Sequence, residues 1–144
     1  MVELIVSFTI LSILTTMSVP LIRFRVRTER ERELRFVLRE MRSAIDKFKD
    51  VCDGGQIQKK LGTDCYPETL DQLVEGVKIA NDPSGKKIRF LRRIPMDPFT
   101  RQRDWGLRSD QDDPASNSWG GQNVFDVYSK TFEKAPSGEA YSEW

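Results

Sequence analysis

Leu4 to Ile22 reads LIVSFTILSILTTMSVPLI, nineteen residues without a charged side chain. At about 1.5 Å of rise per residue, a helix of that length reaches roughly 28 Å, close to the ~30 Å hydrocarbon core of a bilayer. Glu3 stands one residue before it. After Ile22 the chemistry turns over to RFRVRTERERELRFVLREMRSAIDKFKDV, Arg23 to Val51. There apolar residues recur at Leu34, Val37, Leu38, Met41, Ile45, Phe48 and Cys52, from Leu38 onward with the 3-and-4 spacing of one helical face. The first fifty-odd residues therefore predict one continuous helix with two solvents. Its first half suits a membrane, and its second half needs something to pack against. Pro20 removes one backbone hydrogen bond within the apolar half, and Thr15, Thr16 and Ser18 nearby are able to bond back to helical carbonyls.

Working outward, Gly54-Gly55 fits a helix stop. Tyr66 to Val74 (YPETLDQLV) predicts a short second helix, with Pro67 in its first turn, Leu70, Leu73 and Val74 inward, and Gly76 as its end. Asn81 to Gly85 is a turn cluster, and Lys86 to Ile94 (KKIRFLRRI) fits either a helix or a strand. Prolines 95 and 98 push Ile94 and Asp97 out of the helical region, which makes this stretch a rigid connector. Asp104–Ser109 and Asn123–Ser129 read as strands around the loop DQDDPASNSWGGQ, and the tail offers a short edge strand ending at Tyr141 and Trp144. The fold class expected is α+β: a long N-terminal helix packed on a small antiparallel sheet. The domain division expected is 1–22 for the membrane helix and 23–144 for the globular domain.

The 144 residues leave room for one modest core. The net charge is +1, which gives no case for nucleic acid as a partner. The charge is unevenly placed, however. From Asp104 to Trp144 there are eight acids and three bases, a net of −5, so the first 103 residues carry +6. The two regions are set to attract one another within a subunit or between subunits; the plainer reading is of solvated faces. Glu31 and Arg35 stand in the favoured i,i+4 order. Histidine is absent, and neither a nucleophile elbow nor a phosphate loop occurs, so the expectation is no enzyme. Cys52 and Cys65 cannot make a four-ligand zinc site alone. They fit a disulfide stapling the helix end to the next element, which implies an oxidising compartment, or else two reduced thiols. Asp110, Asp112, Asp113 and Asp126 are oxygen donors of the kind calcium takes, although an acidic loop is also simply soluble.

Three motifs resemble one family. VELIVSFTILSIL with the following Pro20 resembles the mature N-terminus of type IV pilins and of the pseudopilins of type II secretion, with Met1-Val2-Glu3 at the family's third to fifth positions. YPETLDQL is similar to the second helix of major pseudopilins, and RRIPMDPF to the connector before their sheet. The resemblance implies a pilin-like fold and a structural subunit that polymerises into a periplasmic pseudopilus. Its implied partners are further copies of itself, other pseudopilins and inner-membrane assembly proteins. It implies a single-pass inner-membrane protein with the C-terminal domain in the periplasm, whose leader and first two mature residues precede Met1. The eight arginines from Arg23 to Arg42, against four glutamates, argue for the opposite orientation on the positive-inside rule. The cysteines and the resemblance favour the periplasm. The resemblance further implies that Glu3 pairs with the N-terminal amine of an adjacent subunit, where the alternative is a lone carboxylate among headgroups. It implies that Pro20 marks a place where the helix extends during packing, and that calcium binds near Asp112 and Asp126. A membrane-anchored monomeric binding domain and a minor pilin are the rival readings.

Overall fold

A computed structural model describes all 144 residues. The elements are α1 (Val2–Asp53), α2 (Leu70–Glu75), β1 (Val77–Lys78), β2 (Lys87–Ile88), β3 (Gly106–Arg108), β4 (Asp126–Tyr128) and a closing 3₁₀ turn, Tyr141–Glu143. The protein is α+β, with its long N-terminal helix packed on two small antiparallel sheets. Two compact units divide the chain, Met1–Glu33 and Leu34–Trp144.

The first unit is helix alone. Its 18-residue apolar window has a mean hydropathy of 2.0 and none of it is buried, so the chain has one helix long and apolar enough to cross a membrane. Within this unit Glu31 pairs backward with Arg27, at 3.7 Å.

The second unit is built on the rest of α1. Leu34, Val37, Leu38, Met41, Ala44, Ile45, Phe48 and Cys52 are all buried, which is the stripe read from the sequence with Ala44 added. Against it pack Ile57, Leu70, Leu73, Leu91, Trp105, Val124, Val127 and Tyr141. Each fully buried aliphatic side chain here contributes about 1.5–3 kcal/mol, so this packing rather than surface ion pairs holds the helix. The helix ends in a glycine cap: Gly55 takes φ +73°, its N–H donates to the Cys52 carbonyl, and Gln56 N–H donates to the Val51 carbonyl.

Helix α2 is shorter than the sequence implies. Thr69 is extended, with φ −143°, and the Pro67 carbonyl accepts from Val124 N–H at 2.7 Å. Tertiary pairing has drawn Tyr66 to Thr69 out of the helix. The stop is where Gly76 predicts it, at φ +81°; a Cβ there would lie 2.7 Å from the Ile88 carbonyl oxygen.

Of the Lys86–Ile94 stretch, Lys87–Ile88 forms strand β2 and the rest is neither helix nor strand. β2 pairs antiparallel with β1, Val77 opposite Ile88 and Lys78 opposite Lys87. The second sheet pairs β3 with β4: Gly106 opposite Tyr128, Leu107 opposite Val127, Arg108 opposite Asp126. The Tyr128 ring lies over Gly106, where a Cβ would come within 2.2 Å of the ring. The tail forms a single bridge, Lys134 to Ala140, and then a 3₁₀ turn in place of an edge strand. Tyr141 is fully buried there and stacks on Phe99, with ring centres 4.3 Å apart.

Candidate functional site

The apolar half of α1 carries Glu3 and Pro20, the residues for which the resemblance implies an assembly role. Glu3 lies in its first turn, exposed, where the positive end of the helix dipole favours an acid. It makes no ion pair within the chain. Around it Val2, Leu4, Ile5, Phe8, Ile10, Leu11, Ile13 and Leu14 all stand exposed. Five of the six hydroxyls of this half, those of Thr9, Ser12, Thr15, Thr16 and Ser18, donate to the carbonyl four residues back, which lowers the cost of placing them in hydrocarbon. Pro20 lies within this run and the helix continues through it.

Cys52 and Cys65 are disulfide-bonded, with Cα atoms 5.5 Å apart. The bond ties the end of α1 to the segment before α2. Two consecutive residues of that segment, Asp64 and Cys65, take left-handed φ of 50° and 64°. Lys49 fixes the same corner: its ammonium donates to the Asp64 carbonyl at 2.7 Å and lies 4.9 Å from the centre of the Tyr66 ring.

The acids considered for calcium are employed otherwise. Asp126 accepts from Arg42 Nε at 2.7 Å and has Arg108 Nη1 3.5 Å from its other oxygen. A carboxylate shared by two guanidiniums is neutralised and is not offered to a cation. Asp112 Oδ2 accepts from Ser109 N–H at 2.8 Å and Gly120 N–H at 2.9 Å; these bonds, Ser109's first, hold its carboxyl below the usual carboxylate range. Calcium takes six to eight oxygens, and no group of three or more carboxylate or thiol side chains is gathered to start such a shell. These residues do not fit calcium. The loop is ordered by hydrogen bonds in its place. Asn123, fully buried, donates to the Thr63 carbonyl at 3.0 Å and to Asp110 Oδ1 at 2.9 Å, while Trp119 Nε1 donates to the Asn123 carbonyl. The Trp119–Asn123 run supplies those ties.

Three residues escaped the sequence reading. Arg108 is 5% exposed; it lies 4.2 Å from the Tyr128 ring centre and donates to the Ser116 and Ser142 carbonyls. Arg42 donates to Asp126 and to the Trp144 carbonyl, and thereby meets part of the charge complementarity inside one chain. Asp97, fully buried between its two prolines, accepts from Phe99 N–H at 2.8 Å and from the Ser129 hydroxyl. Only the last left a local sign, an acid between two residues that cannot donate backbone bonds.

Arg35 and Arg39 share the exposed side of the packed half of α1. With Arg42, Asp46 and Trp144 they line an open groove of about 370 Å³. Arg35 lies 4.2 Å from the centre of the Trp144 ring.

No family model, no curated protein and no solved structure matches this chain.

Proposed function

We propose that this chain is a structural subunit that polymerises into a periplasmic filament, a pseudopilin of a type II secretion or related type IV pilus-like machine. One observation carries the reading: a fully exposed, uncharged helical stretch from Leu4 to Ile22 is headed by the unpaired Glu3. An enzyme or a ligand-binding module needs no carboxylate at the head of its anchor. A filament subunit does, since a carboxylate among apolar helices is costly until a cation from a neighbour neutralises it. The three motifs that resemble the family support the same reading. The Cys52–Cys65 bond supports a periplasmic domain, because disulfides persist in oxidising compartments. The role is assembly, with no catalytic step.

The test is expression of the full precursor in its secretion system, with filaments counted by microscopy. Glu3→Ala is expected to insert in the membrane with a folded C-terminal unit and to form no filaments, while Glu3→Asp keeps part of the yield. Normal filaments from Glu3→Ala would overturn the reading and leave a monomeric anchor.

A further inference from the structure

The groove on the packed half of α1 has an unspent positive charge. Arg35, Arg39 and Arg42 stand at i, i+4 and i+7, so they share one helical face. Their commitments differ. Arg42 is used within the chain, by Asp126 and by the carbonyls of Trp144 and Val127. Arg35 rests on the Trp144 ring, a contact that holds the guanidinium plane and leaves its edge donors open. Arg39 makes no ion pair or hydrogen bond. The groove's acid, Asp46, pairs with none of the three.

The opposite charge is equally unspent on the acidic loop. Of the acids from Asp104 onward, Asp126 is held by arginines, Glu139 accepts from Trp144 Nε1, and Asp104 pairs with Lys130, while Glu133 and Glu143 in the tail pair with no cation. Asp112 is tied into its loop and Asp110 to Asn123. Asp113 pairs with no cation and is exposed, yet it is not loose. Its Oδ1 accepts from Ala115 N–H at 2.9 Å, its carbonyl accepts from Ser116 N–H at 2.8 Å, and Pro114 stiffens the turn. A carboxylate held this way loses little freedom on docking.

We propose that the Arg35–Arg39 groove of one copy receives the Asp113 carboxylate of a second copy, as a forked arginine–carboxylate contact. The proposal rests on the subunit reading above and names its electrostatic contact. Made head-to-tail, this contact does not close on itself as a two-fold pair of the same contact would, and it propagates into a ring or an open helical array.

The experiment mixes two differently tagged full chains in detergent at low salt, one carrying Ser43→Cys on the groove and the other Ala115→Cys beside Asp113, so that both charges of the contact are kept. Both native cysteines are in the disulfide, so a short bis-maleimide reads the new pair alone. A mixed cross-linked dimer is expected, found only when both variants are present. Arg39→Asp is expected to reduce assembly by about tenfold, and the Arg39→Asp with Asp113→Arg pair to restore it to within about threefold. Assembly that proceeds without the mixed cross-link, and is indifferent to Arg39→Asp, overturns the contact and leaves the subunit reading standing. A wild-type chain that never assembles overturns both. If Arg39→Asp instead abolishes binding to phosphatidylglycerol vesicles but not assembly, the groove serves lipid and the proposal fails.

Discussion

Asp126 shows how one residue decides a local charge pattern. Its carboxylate sits between Arg42 and the buried Arg108. Removing it leaves Arg108 with two carbonyls and an aromatic face but no counter-charge. Asp126→Ala is expected to destabilise the C-terminal unit by about 2–3 kcal/mol, read as a lowered urea midpoint. Asp112 gives a pH dependence. The Ser109 and Gly120 N–H bonds lower its folded pKa from 3.8, as the Ser84 hydroxyl and N–H do for Asp82. A lowered folded value means that the stabilisation is present above the usual carboxylate range and is lost as pH falls through the folded value. Trp119 fluorescence, followed from pH 6 downward, is therefore expected to change only below about pH 4. Asp112→Asn is expected to remove that acid-dependent step. Little of this was legible from sequence. Arg108 and Asp126 lie in neighbouring strands and are brought opposite by register, which spacing along the chain does not encode. Glu31 and Arg35 satisfy the i,i+4 rule, yet Glu31 pairs with Arg27 and Arg35 turns to an aromatic ring from the far end of the chain.

The elements divide by length. The α1 stripe repeats over several turns, so its periodicity identifies every member except Ala44, whose size gives little hydropathy signal. The sheets are two and three residues per strand, too short for a period of two to show. The stretches holding β3 and β4 were still read as strands, whereas β1 was not read at all, Gly76 signalling only the end of α2. Gly106 is the strictest constraint in these strands, since the Tyr128 ring occupies the space of its side chain. Gly106→Ala is expected to cost about 2 kcal/mol, with Tyr128→Ala in the same chain relieving part of that loss. The disulfide is the other element-level constraint. It closes a sequence separation of 13 residues, worth about 3 kcal/mol in the chain-entropy view. Alkylation without reductant should label no thiol, and Cys52→Ser with Cys65→Ser should lower the unfolding midpoint.

At the scale of the molecule, the chain is two units of opposite solvent preference. The first exposes the uncharged apolar run Leu4–Ile22, and the second buries its apolar residues around Trp105, Val127 and Tyr141. Purification is expected to need detergent for the whole chain, and the needed amount should fall sharply on replacing Ile10 and Ile13 with aspartate. The apolar half of α1 was legible because a bilayer sets a simple demand, nineteen uncharged residues, and the helix is long and apolar enough to meet it. The proposed charge contact was not, because it depends on which charges folding leaves unpaired.

The bond between Cys52 and Cys65 makes the segment it encloses a covalent ring, and Lys59 and Lys60 are exposed within that ring. A protease cutting after Lys60 opens one strand of the ring and frees nothing. The resulting pieces, 1–60 and 61–144, travel together on a gel run without reductant and separate once it is added. In the filament proposed above, such a nick would leave both pieces of a subunit attached, so the staple would guard against shedding as well as unfolding.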